Sequence, residues 1–75
     1  MIKTIYSQYL FTWVLDTDSL TPQEREDLRT VRGAVGSYGA GTETAEAAAR
    51  LADAGVTVKF VLDGGPRVFL NGTLV

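Results

Sequence analysis

The chain contains no cysteine and no histidine. Without thiols there are no disulfides, no thiolate metal sites and no thiol redox chemistry. Without imidazole, the commonest general base and metal ligand is missing. Charge of one sign is also scarce: nine acidic residues against seven basic leave a net charge of −2. That balance argues against a strongly basic nucleic-acid-binding domain, though a local basic patch remains compatible with it. No run approaches the ~20 apolar residues of a membrane-spanning helix. The apolar stretch Tyr9–Leu15 has no charged segment before it and aspartates after it, so no secretory leader is expected and the chain reads as cytoplasmic, with no membrane partner.

What is present is ordinary globular material, 45% hydrophobic and 21% charged over 75 residues. That length suits one domain, residues 1–75, with one core and no deep substrate cavity. The clearest pattern is Val56–Val75, in which two turn signals interrupt three β-branched and aromatic runs. Asp63-Gly64-Gly65-Pro66 makes the first break. Asn71-Gly72 makes the second, a pair suited to a type I′ turn with positive φ at both central positions. A two-residue loop at Asn71-Gly72 pairs Leu70 with Thr73 and Phe69 with Leu74. A loop centred on Gly64-Gly65 pairs Leu62 with Arg67, Val61 with Val68 and Phe60 with Phe69. Opposed residues share a face, so Val56, Val58, Phe60, Leu62, Phe69 and Leu74 are expected to face the core. Thr57, Lys59, Val61, Val68, Leu70, Thr73 and Val75 then face outward.

Residues Ile2–Leu15 are rich in Ile, Tyr, Phe, Trp, Val and Thr, which favours a strand, with a break near Ser7-Gln8 because fourteen residues would be unusually long. A helical face of Ile2, Ile5, Tyr6, Tyr9, Leu10 and Trp13 competes with it. Asp16–Ser19 is a turn. Thr21-Pro22-Gln23-Glu24 then spells a helix start with a capping box and proline at the first position. This helix should reach about Val35, with a narrow stripe of Leu28, Val31 and Val35. A second helix, from Thr42 to Ala54, presents Ala45, Ala48, Leu51 and Ala52. Gly55 sits where a left-handed terminator belongs. The expected fold is α+β in the order β-α-α-β-β-β: an antiparallel sheet of the N-terminal strand and the C-terminal meander, with two helices on one face.

Few residues offer chemistry. The segment Gly33–Gly41 precedes a helix N-terminus and invites a phosphate-loop reading. It lacks the lysine and hydroxyl of a Walker loop, and a helix precedes it where a Rossmann fingerprint needs a strand. A helix–helix connection carrying an exposed Tyr38 is the better reading. Asp16 and Asp18 lack the glycine and bidentate glutamate of a calcium loop. No spacing pairs a nucleophile with a base. No cofactor, metal or catalytic residue is therefore expected, and the chain does not read as an enzyme.

Binding is what remains. Val61, Val68, Leu70 and Val75 would form an apolar patch on the outer face of the meander, a feature that usually marks an interaction surface. That face, or the short C-terminal edge strand, would suit a protein partner or a homodimer. Arg25, Arg29 and Arg32 share one helical face and suit phosphates or acidic side chains, against a solvated reading in which Glu26 pairs with Arg29. Small acidic domains without catalytic residues resemble phage and mobile-element accessory proteins, including anti-CRISPR inhibitors of host defence. That resemblance, in size and composition, implies that Glu24, Glu26, Asp27, Glu43 and Glu46 meet a basic groove on a target. The leading expectation is thus a non-enzymatic inhibitor or accessory protein that docks on a macromolecule. A nucleic-acid-binding regulator using the arginine face is the alternative, and an assembly subunit a third. Gly65–Gly72 also resembles a glutaredoxin strand–turn over eight residues, but lacks that family's cysteine and implies no redox role.

Overall fold

A computed structural model describes residues 1–34, 41–61 and 64–75. Tyr38, Val35, Leu62, Asp63 and most of the glycine segment lie outside the described residues. The elements are β1 (Thr4–Ser7), β2 (Thr12–Leu15), a 3-10 turn (Thr17–Ser19), α1 (Pro22–Ala34), α2 (Thr42–Asp53), β3 (Val56–Val61), β4 (Gly65–Leu70) and β5 (Thr73–Leu74). The α+β class and the β-α-α-β-β-β order are those expected from the sequence. All pairing is antiparallel, in a two-stranded sheet β1-β2 and a separate three-stranded sheet β3-β4-β5. The N-terminal segment thus makes its own hairpin and does not join the meander. The expected break near Ser7-Gln8 is its loop, Gln8–Phe11, closed by the pair Ser7 and Thr12.

Local chemistry explains the boundaries. The Glu24 amide donates to Thr21 Oγ1 at 3.1 Å, and the Thr21 amide donates to Glu24 Oε1 at 2.8 Å. Both halves of the capping box are made, so two otherwise unpaired donors at the start of α1 are satisfied. Asp16 accepts from the Asp18 amide and caps the 3-10 turn. The Ser19 hydroxyl donates to Asp16 O and accepts from the Lys3 amide, tying the turn to the start of β1. At the far end of α2, Gly55 takes φ +87 and donates to Ala52 O at 2.9 Å, the inner bond of a Schellman ending.

The core consists of Leu20, Leu28, Val31, Ala47, Leu51 and Val56, with Ile2, Leu15, Ala48, Val58, Val68 and Leu70 packed against it. On α2 the buried stripe is Ala47 and Leu51 with half-buried Ala48; Ala45 and Ala52 are exposed. The expected face was therefore rotated, because alanines on every side of α2 give no contrast that would orient it.

The meander requires a larger correction. Its second turn forms as expected, with Leu70 opposite Thr73, Phe69 opposite Leu74, and positive φ at Asn71 and Gly72. Its first turn does not. Val61 pairs with Gly65, Val58 with Val68 and Val56 with Leu70. The loop holds three residues, and Gly65 at φ +73 absorbs the mismatch, as in a three-residue hairpin. Pro66 is tolerated because β5 reaches only as far as Phe69, leaving β4 one neighbour at that point. The shift from the expected register is three residues. An odd shift exchanges the faces of one strand relative to the other. Val68 and Leu70 thus pack inward with Val56 and Val58, while Phe69 faces outward beneath the Lys59 ammonium, 5.2 Å from its ring centroid.

Candidate functional site

The register removes the outer apolar patch expected from the sequence. Val68 and Leu70 belong to the core side and Val75 is half-buried, its amide donating to Val68 O at 2.9 Å. Of that cluster only Val61 remains exposed. The proposed dimer through that patch loses its basis, and β5 is only two residues long.

The meander still exposes Phe60 and Leu74, both expected to face the core, but most of the large exposed apolar residues lie on the N-terminal hairpin. Tyr9 is 93% exposed, Phe11 80%, Leu10 64% and Trp13 59%, with Ile5 and Tyr6 about half exposed. No residue from Thr4 to Leu15 carries a charge. Tyr6 and Trp13 are cross-strand partners whose rings meet edge to face, with centroids 5.6 Å apart and planes at 77°. Such a pair stiffens the hairpin stem. At the tip, the Leu10 amide donates to Ser7 Oγ at 3.1 Å. Phe11 adopts φ +55, a conformation that bulky L-residues rarely enter and that costs about 1 kcal/mol. A glycine or asparagine would turn this corner at lower cost. Strain at an exposed aromatic is therefore a second sign that the tip is kept for contact. Alternating aromatics in the sequence marked a strand, but nothing there marked a turn, since Gln8–Phe11 contains no glycine, proline or asparagine.

The charged residues sort into structural and available groups. Asp27, expected to meet a partner, is buried at 2% exposure in the α1–α2 interface. Arg50 donates to both its carboxylate oxygens, Nε to Oδ2 and Nη2 to Oδ1, each at 2.8 Å, and Gln23 Nε2 donates to Oδ1 at 2.9 Å. Asp27 lies four residues before Val31 and Arg50 three after Ala47, so both fall on the facing stripes of the two helices. That spacing was the available signal. Glu24 serves its capping box, and Glu26 pairs with Arg29 at 3.4 Å on an exposed face. Glu43 and Glu46 are exposed on α2. Arg25, Arg29 and Arg32 do share one face and line one groove of about 400 Å³ with Thr17, Leu20 and Leu28. Among the described residues no group of three or more acidic side chains is placed to hold a metal. Nor is any described helix long and apolar enough to cross a membrane.

Asp27 carries a pH dependence. The Arg50 hydrogen bonds hold its carboxyl below the ordinary 3.8, outweighing the opposing effect of burial. A folded-state value below the unfolded one stabilises the fold above about pH 4, and that contribution is lost as pH falls through the folded value. Thermal melts from pH 6 down to about pH 3 should show the midpoint falling. Asp27→Asn, unable to titrate, should start lower and fall less. Parallel curves for the two proteins would remove this assignment.

No protein-family model, curated protein or solved structure matches the chain.

Proposed function

We propose that this is a non-enzymatic binding protein, acting as an inhibitor or accessory subunit, that docks on a protein partner through its N-terminal hairpin. One observation carries the reading: an uncharged hairpin holds six exposed large apolar side chains, five of them more than half exposed and Tyr6 at 46%. At about 200 Å² for a fully exposed side chain, Ile5, Tyr6, Tyr9, Leu10, Phe11 and Trp13 present roughly 800 Å². The total is comparable to one side of a standard protein interface, with Ile5 on the face opposite the Tyr6–Trp13 pair. Tyr, Trp and Phe are also the side chains that anchor interfaces. Ser7, Gln8 and Thr12 place polar groups between them, able to pair with a partner's backbone.

The strained tip separates folding from binding. Phe11→Gly relieves the positive φ and should leave the fold as stable as before or about 1 kcal/mol more stable. The same change, combined with Tyr9→Ser, should weaken partner retention roughly thirtyfold, the scale of losing an interface anchor. The check is affinity capture from native host extract with wild-type and variant protein side by side, followed by titration of the recovered partner. A variant that binds the partner as tightly as wild type removes the reading. Retention on phosphatidylcholine vesicles that Phe11→Gly abolishes would assign the hairpin to lipid instead.

A further inference from the structure

Beyond the hairpin, we propose that the arginine-rimmed grooves beside α1 form a docking site for an acidic segment of a partner protein that also carries apolar side chains. Two grooves meet at Thr17, Leu28 and Arg32. The first, of about 400 Å³, is rimmed by Arg25, Arg29 and Arg32 over Leu20 and Leu28. The second, of about 360 Å³, runs between the hairpin and the meander, with Val14, Val68 and Val75 along it and Arg67 at its rim. Among the described residues, none of those lining either groove is acidic. In a chain of net charge −2, four of seven cationic side chains thus border one continuous apolar trough.

Arg25 and Arg67 are held by backbone carbonyls. Arg25 Nη1 donates to Thr17 O at 3.3 Å and Leu20 O at 3.1 Å. Arg67 Nη1 donates to Gly64 O at 2.6 Å and Pro66 O at 3.3 Å. Backbone carbonyls orient a guanidinium and leave its charge and remaining N–H groups for a ligand. Among the described residues Arg29 pairs with the exposed Glu26 at 3.4 Å, a contact that contributes little and is readily exchanged. A guanidinium matches a carboxylate bidentately, and the aliphatic trough suits aliphatic or aromatic side chains between the acids. Single-stranded nucleic acid would want aromatic stacking platforms, and these grooves offer leucine and valine.

The test is selection of 12-residue peptides from a random displayed library on immobilised full chain, with fluorescence anisotropy on the winners and on labelled oligo-dT. Winners should combine Asp or Glu with Leu, Ile or Phe. They should bind roughly tenfold more weakly for each of Arg32→Glu and Arg67→Glu, and more weakly in high salt. Arg32 is exposed, so Arg32→Glu alone keeps the test valid should Arg67→Glu disturb the β3–β4 turn. Tyr9→Ser/Phe11→Gly should leave this binding unchanged, which separates its failure from a failure of hairpin docking. Absence of winners, winners without acids, binding indifferent to Arg32→Glu, or tighter binding of oligo-dT would each overturn the proposal.

Discussion

Leu51→Ala should lower the stability of the fold by about 3 to 4 kcal/mol, within the range for deleting a fully buried leucine side chain. Leu51 is 1% exposed and sits where α1, α2 and β3 converge, in one cluster with Leu28, Val31, Ala47 and Val56. Three elements pack around it, so a cavity term is expected to add to the lost transfer energy. A domain of this length holds roughly 4 to 11 kcal/mol in total. The melting temperature should therefore fall by about 15 to 25 °C. Leu10→Ala, at an exposed tip position, is the control and should stay within about 0.5 kcal/mol of wild type. Thermal and urea denaturation measure both. A loss below about 1 kcal/mol for Leu51→Ala would mean that the three elements do not converge there.

Gly55→Ala should cost about 2 to 3 kcal/mol, while the same substitution at Gly33 should be neutral or stabilising by up to about 1 kcal/mol. Two costs combine at Gly55. Its φ of +87 costs an L-residue about 1 to 2 kcal/mol. An added Cβ would also collide with Asn71 Oδ1. The Asn71 amide donates to Gly55 O at 2.7 Å, so the end of α2 is bonded to the β4–β5 turn. The collision falls on the Asn71 side chain, at the turn that this backbone bond joins to the helix terminus. Gly33 lies near the end of α1, and nothing approaches the position its Cβ would take. Equal effects at the two glycines, read from denaturation midpoints, would contradict this account of the α2–β3 junction.

These two sites show why some of the fold was legible and some was not. Thr21–Glu24, Gly55 and Asn71-Gly72 combine a backbone demand with a residue type that meets it, so sequence and structure agree there. The β3–β4 register carries no such signal. Val68-Phe69-Leu70 is apolar at three successive positions, so alternation cannot say which face is core. The two loop lengths allowed by adjacent glycines then differ by an odd shift. The hairpin was half legible. Its strand composition was plain, but its loop turns on a left-handed phenylalanine where ordinary turn residues are absent. The arginine face was read correctly from helical spacing. Its extension to Arg67 was not, because only the folded meander brings that residue alongside Arg32.

The available surface is thus asymmetric. An uncharged aromatic hairpin projects from a body that carries its cations beside that hairpin, and Leu10 and Val14 border the trough that the arginines rim. Of the carboxylates, Asp27 lies inside the helix pair, Glu24 serves its cap, Glu43 and Glu46 are exposed on α2, Glu26 pairs with Arg29, and Asp16 and Asp18 sit at the turn after β2. In the proposed docking mode, a partner approaching the hairpin would meet apolar groups first and positive charge behind them. That order would give it hot-spot burial at the tip and orientation from the rim.

Trp13 is the sole tryptophan and stands on the hairpin stem against Tyr6, so its fluorescence reports on the hairpin alone. The deciding measurement is acrylamide quenching and emission wavelength of Trp13 during titration with the captured partner, using a partner fragment without tryptophan or one with its tryptophans replaced. Docking through the hairpin predicts a blue shift and a clear loss of quenching at saturation. Saturated binding with Trp13 emission and quenching unchanged would place the partner elsewhere on the molecule and contradict the proposal.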